Sequence, residues 1–127
     1  MLDTEALMGF VATAKPDASR QFYGEVLGLK LLEDSSFALV FAVKGSLLRV
    51  QKMSTHSPVP FTVLGWSVNQ IEAKVQALTE RGVTFLRVEG LPQDALGIWH
   101  TPDGSKVAWF RDPDGNTLSL SEHSINT

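Results

Sequence analysis

The sequence predicts an α+β fold: two βαβββ modules forming a curved mixed sheet around a cleft. Three observations carry this reading. A strand-helix-strand-strand-strand pattern occurs twice, on either side of a stretch with two prolines, Ser54 to Pro60. The helix of each copy stops at a glycine, Gly28 in the first and Gly82 in the second, about half a chain apart, which marks an internal duplication. Finally, Val107 to Ser121 reads as two strands joined by the turn Asp112-Pro113-Asp114-Gly115-Asn116. One helix on one sheet face of each module leaves the other face to curve around a cavity. The expected organisation is a single domain, 1–127, with module one over about 6–53, a linker at 54–60 and module two over about 61–123.

Taken in order, Leu7 to Thr13 is a small apolar run with strand character. Pro16 suits the first turn of a helix and Asp17 complements its dipole. Ala18, Phe22 and Val26 recur at i, i+4 and i+8 and predict the buried stripe of that helix. Leu29 to Glu33, Phe37 to Val43 and Ser46 to Lys52 read as strands, with turns at Asp34-Ser35-Ser36 and Lys44-Gly45. In the second copy Phe61 to Val68 is a strand, and Asn69 with Glu72 has the spacing of a capping box. Ile71, Val75 and Leu78 form the helical stripe, and Val83 to Val88 reads as a further strand. A loop from Glu89 to Leu96 leads to Gly97-Ile98-Trp99-His100, the Pro102-Asp103-Gly104 turn and the closing strands.

Bulk properties narrow the function. The chain has 127 residues, 43% hydrophobic and 20% charged, which suits one globular domain with a sizeable core. A net charge of −3 with interspersed signs leaves no electrostatic footprint for nucleic acid or an anionic membrane. The absence of cysteine excludes thiol catalysis, disulfides and cysteine-ligated zinc. The acidic start, Met1-Leu2-Asp3-Thr4-Glu5, has no long apolar run, so no signal peptide or membrane span is expected and a cytoplasmic protein is the default.

Three motifs carry a family resemblance: Phe22-Tyr-Gly-Glu-Val-Leu-Gly-Leu29, Ile71-Glu-Ala-Lys-Val-Gln-Ala-Leu-Thr-Glu-Arg-Gly82 and Val107-Ala-Trp-Phe-Arg-Asp-Pro-Asp-Gly-Asn116. In that order the chain resembles the vicinal oxygen chelate superfamily, which includes glyoxalase I, bleomycin-resistance proteins, fosfomycin-resistance enzymes and extradiol dioxygenases. The motifs are helices and a turn, so the resemblance implies fold more directly than chemistry. Metal-using members hold a divalent ion with about four His, Glu or Gln donors on cavity-facing strands. Counted from the motifs, those positions fall at Met8, Val63, Ser119 and Arg49, or Gln51 if the register slips by two. A thioether, an isopropyl group, a hydroxyl and a cation are poor donors for a hard ion, so no metal and no cofactor is expected.

The resemblance then implies the metal-free branch that sequesters a ligand. An arginine in the cleft and only mild acidity suit a cationic drug such as bleomycin badly. The expected ligand is instead apolar or aromatic with a polar or anionic group. Its binding residues are expected to be Met8, Phe10, Arg49, Gln51, Val63, Trp99, Trp109, Arg111 and Ser119. Arg49 would hold an anion with its guanidinium fork and Trp109 would offer a stacking wall. The bland alternatives are a paired or exposed Arg49 and tryptophans that merely pack.

A three-residue turn with a glycine bulge would pair Trp99 with Val107 and aim both tryptophans one way; a two-residue turn would put His100 there. Pro102 favours the first. His56, His100 and His123 are scattered and lack metal spacing, although His100 on the cleft face would be a candidate general base. Asp112, Asp114 and Asn116 read as turn chemistry and not as a calcium loop. The partner is therefore a small molecule, with no nucleic acid and no membrane, and the resemblance implies a homodimer. A glyoxalase-like lyase or isomerase with Arg49 as electrophile, and a non-catalytic structural or regulatory protein with a filled cavity, are the other classes.

Overall fold

The computed structural model describes residues 1–123 and comprises two compact units, Met1–Pro58 and the chain from Val59 onward. In the first unit β1 (Met8–Thr13) leads into α1 (Pro16–Gln21), followed by β2 (Lys30–Asp34), β3 (Ala38–Val43) and β4 (Ser46–Lys52). The sheet order is β1-β4-β3-β2, with β1 parallel to β4 and the other neighbours antiparallel. Alternation along the strands sends Val11, Leu39, Phe41, Leu48 and Val50 to one buried face. Full burial of each such side chain contributes roughly 1.5–3 kcal/mol.

The helix meets that face through different residues from those the periodicity suggests. Ser19 and Tyr23 are buried, Phe22 and Val26 are half-buried, and Ala18 is exposed. The rotation has two causes. The Thr13 and Ser19 hydroxyls share a buried hydrogen bond of 2.7 Å, which fixes the first turn against β1. The helix then widens into a π turn over Phe22–Val26, where the Leu27 N–H donates to the Phe22 carbonyl. Tyr23 is thereby turned onto Phe41, with ring centres 5.9 Å apart.

The second unit repeats the plan. It contains β5 (Thr62–Ser67), α2 (Ile71–Glu80), β6 (Trp99–His100), β7 (Lys106–Arg111) and β8 (Thr117–Glu122). The order is β5-β8-β7-β6, and the first strand is again parallel to the last. Ile71 and Val75 of α2 are fully buried, as are Ala108, Phe110 and Leu118 of the sheet. Both helices end on a left-handed glycine, Gly28 at φ 76° and Gly82 at φ 96°, as the duplication predicts. No helix among the described residues is long and apolar enough to cross a membrane.

Two local expectations in this unit are corrected. The capping box is replaced: the N-cap is Gln70, in the left-handed region at φ 55°, with no side-chain cap. The Gln70 and Ile71 N–H groups both donate, at 3.1 Å, to the two carboxylate oxygens of Glu122 at the end of β8. Glu72 instead receives Lys106 Nζ at 2.7 Å, tying α2 to β7. The expected strand over 83–88 is irregular chain. The Leu86 N–H reaches the β7 backbone, donating to the Trp109 carbonyl at 2.8 Å. One side chain serves further backbone groups here. Gln93 Nε2 donates to the Leu86 and Gly97 carbonyls, both at 2.8 Å, and its Oε1 accepts the Val88 N–H at 2.6 Å. A side-chain amide thus stands where a neighbouring strand would, and no ladder forms.

Candidate ligand-binding site

Each sheet has one face covered by its helix and one face without a helix. In the first unit the parallel register sets Met8 beside Leu47, Phe10 beside Arg49 and Ala12 beside Gln51. Met8 is 42% and Phe10 53% exposed, Gln51 is exposed and Arg49 half-buried. Arg49 forms no ion pair among the described residues. Two other cations of the unit behave differently: Arg20 and Lys52 both reach Asp34, at 2.8 and 2.6 Å.

In the second unit Trp99 pairs with Val107 and His100 with Lys106. The connection is the three-residue turn: the Thr101 N–H donates to the Ser105 carbonyl at 2.8 Å, and Gly104 takes φ 88°. Alternation then puts Trp99 and Trp109 on one face, their rings stacked at 6.2 Å and 22°. His100 points the other way. Its Nε2 lies 3.0 Å from Asp94 Oδ2, so it does not share the tryptophan face. Burial works against the Asp94 carboxylate, but the His100 ring and the Ile98 and Leu96 amides outweigh it and hold its pKa below the usual range.

Ser119 stands across from Trp109 on one side and Gly65 on the other. A Cβ at Gly65 would sit 2.7 Å from the Ser119 hydroxyl, so glycine keeps that hydroxyl open. Among the described residues the hydroxyl has no side-chain hydrogen bond. Val63 falls in a bulge, because the β5 register shifts between Thr62 and Leu64. Thr62 takes the position opposite Thr117 instead. Beside them opens a concavity of about 520 Å³, whose walls include Phe61, Leu86, Val88, Leu91 and Trp109. Its polar lining is Thr62, Thr117, Arg87 and Arg111.

Of the residues singled out from the sequence, the structure places Met8, Phe10, Arg49 and Gln51 on one face of the first unit. Trp99, Trp109, Arg111 and Ser119 lie on one face of the second. Trp109 and Arg111 line the concavity; Val63 does not. Phe61, Thr62, Leu86, Arg87, Val88 and Leu91 were not anticipated. Periodicity gives no signal for a bulge or for an irregular wall; the one trace is Gln93, an amide inside the loop.

Among the described residues no three His, Asp or Glu side chains cluster so as to hold a metal ion. Met8 and Arg49 in one unit, and Val63 and Ser119 in the other, do not make a donor set for a hard divalent cation. In the Asp112 turn the side chain serves the turn itself: Oδ1 accepts the Asp114 and Asn116 N–H groups at 2.9 Å and Oδ2 the Asn116 amide at 2.8 Å.

These features define a small α+β protein with open, partly aromatic sheet faces. Residues 7–120 match the model of the Glyoxalase/Bleomycin resistance protein/Dioxygenase superfamily. The chain belongs to that superfamily, the vicinal oxygen chelate grouping that its motifs resemble. Comparison with curated proteins gives no significant match. Among solved structures, a glyoxalase family protein from Bacillus anthracis is similar with a TM-score of 0.74 at 17% identity, covering 95% of this chain and 96% of that one. A lactoylglutathione lyase from Agrobacterium tumefaciens gives 0.73 at 15% identity, covering 94% and 93%. TnmS3, an antibiotic-binding protein from Streptomyces sp. CB03234, gives 0.71 at 24% identity, covering 98% and 99%. At these identities the likeness is one of fold.

Proposed function

We propose that the chain is a metal-independent small-molecule-binding protein of the glyoxalase/bleomycin-resistance type. It binds or sequesters an apolar or aromatic compound carrying a polar or anionic group, with Met8, Phe10, Arg49, Gln51, Trp99, Trp109, Arg111 and Ser119 as contact residues. Val63, at its bulge, is the least supported member of that set. The observation that carries the reading is the stacked Trp99–Trp109 pair on a sheet face that also presents Ser119 and Arg111. Such an apolar wall with a few polar anchors is the usual make-up of a small-molecule site. A neighbour of the same fold, TnmS3, is an antibiotic-binding protein, which supports a binding role.

Exposure of Met8 and Phe10 weighs against a structural protein with a packed cavity. A lyase or isomerase is the second reading, favoured by the half-buried guanidinium of Arg49, which has no ion pair among the described residues and could stabilise an oxyanion in place of a metal. A soluble cytoplasmic homodimer completes the proposal. Native mass spectrometry of protein taken directly from cells tests it. The expected spectrum shows a dimer retaining an organic adduct that survives chelator treatment. An adduct-free chain that also fails to bind any aromatic compound in solution would overturn the reading.

A further inference from the structure

We infer that the concavity of the second unit selects a flat apolar acid, a compound with an aromatic body and a carboxylate, and that Arg111 is the residue that reads the charge. This rests on the small-molecule reading above and names its ligand class. The chain carries 14 acidic and 11 basic residues, yet the concavity is lined by two arginines and no acidic side chain. Each arginine lacks a carboxylate partner among the described residues.

The two are held differently. Arg87 donates from Nη1 to the Asp94 carbonyl at 2.5 Å and from Nη2 to the Ala95 carbonyl at 2.8 Å. Neutral carbonyls fix its plane and leave its charge uncancelled. Arg111, opposite Thr117 at the end of β7, makes no side-chain hydrogen bond among the described residues, so its whole fork is open. Beside them the Trp109 and Phe61 rings offer surface for a flat apolar body. A volume of about 520 Å³ admits a ligand of two or more fused rings. Two uncompensated cations beside aromatic walls favour an anion and disfavour an amine.

Isothermal titration of the full-length protein with naphthalene-2-carboxylate and with 2-naphthamide, its neutral equivalent in shape, tests this. The carboxylate should bind at least about tenfold more tightly, the effect of a charge-assisted hydrogen bond. Added salt should narrow the gap. Arg111→Gln should remove most of the preference, leaving the part that Arg87 supplies, while amide binding persists, and Arg111→Lys should restore part of what is lost. Lys44→Gln, in the β3–β4 turn, should leave the preference intact. Equal affinities for the two probes would overturn the assignment of charge selection while leaving small-molecule binding standing. An undiminished preference in Arg111→Gln, or an equal loss in Lys44→Gln, would also overturn it. Failure of both probes to bind would remove the concavity as an aromatic site, whereas a retained adduct of other chemistry would preserve the broader reading.

Discussion

Gln93 and Asp112 show how single side chains hold the loops around the candidate site. Gln93 satisfies two carbonyls and one N–H of chain that forms no strand, including the Leu86 carbonyl and Val88 N–H in the wall of the concavity. Truncation leaves three backbone groups to find water or go unpaired, and each unpaired buried group costs about 1–3 kcal/mol. Gln93→Ala should therefore lower stability by about 2 kcal/mol, read as a lower urea midpoint. Gln93→Glu should fall with it, because a carboxylate cannot donate to the Leu86 and Gly97 carbonyls. At this scale the sequence was legible where geometry is local. The Pro102-Asp103-Gly104 spacing identified the turn that pairs Trp99 with Val107, since turn length alone sets that register. It was not legible at Gln93, whose role depends on three partners with no periodic relation to it.

Among the elements, α2 is held by charge at both its start and its flank. The Glu122 carboxylate accepts the Gln70 and Ile71 N–H groups, and Lys106 holds Glu72. Removing the negative charge at the helix start should cost about 1 kcal/mol, so Glu122→Gln is expected to lower the thermal midpoint by a few degrees. Calorimetry of the variant checks this, and an unchanged midpoint would show that the cap contributes nothing. The Lys106 ammonium beside Glu72 lowers the pKa of that carboxyl, and Asp94 is also held low. A carboxylate with a depressed pKa in the folded state stabilises it above the ordinary range and loses that contribution as pH falls through the lower value. The urea midpoint should accordingly drop below about pH 4, with a shallower slope in Asp94→Asn. Why Asn69 looked like a cap is physical too. The local spacing fits a capping box, which would use the Asn69 and Glu72 N–H groups. The Glu122 carboxylate of β8 instead takes the neighbouring Gln70 and Ile71 donors, and the Glu72 side chain turns to Lys106. The β5 bulge escaped for a related reason, since nothing in Phe61 to Val68 distinguishes one extra residue from regular alternation.

For the molecule as a whole, duplication was the most legible feature. Each unit runs its first strand parallel to its last and closes its helix on a left-handed glycine, because the same short pattern has the same solution twice. Fold and family follow from that pattern and from the match over residues 7–120. Chemistry does not, since scaffold motifs fix strands and turns while the donor positions between them vary freely. Here those positions hold Met8, Val63, Ser119 and Arg49. Ligand binding is therefore expected to need no ion. Elemental analysis of protein purified from cells in the absence of chelators addresses this most directly. Nickel, zinc, manganese and iron should remain far below one per chain. A stoichiometric transition metal that stays bound through purification would contradict that expectation.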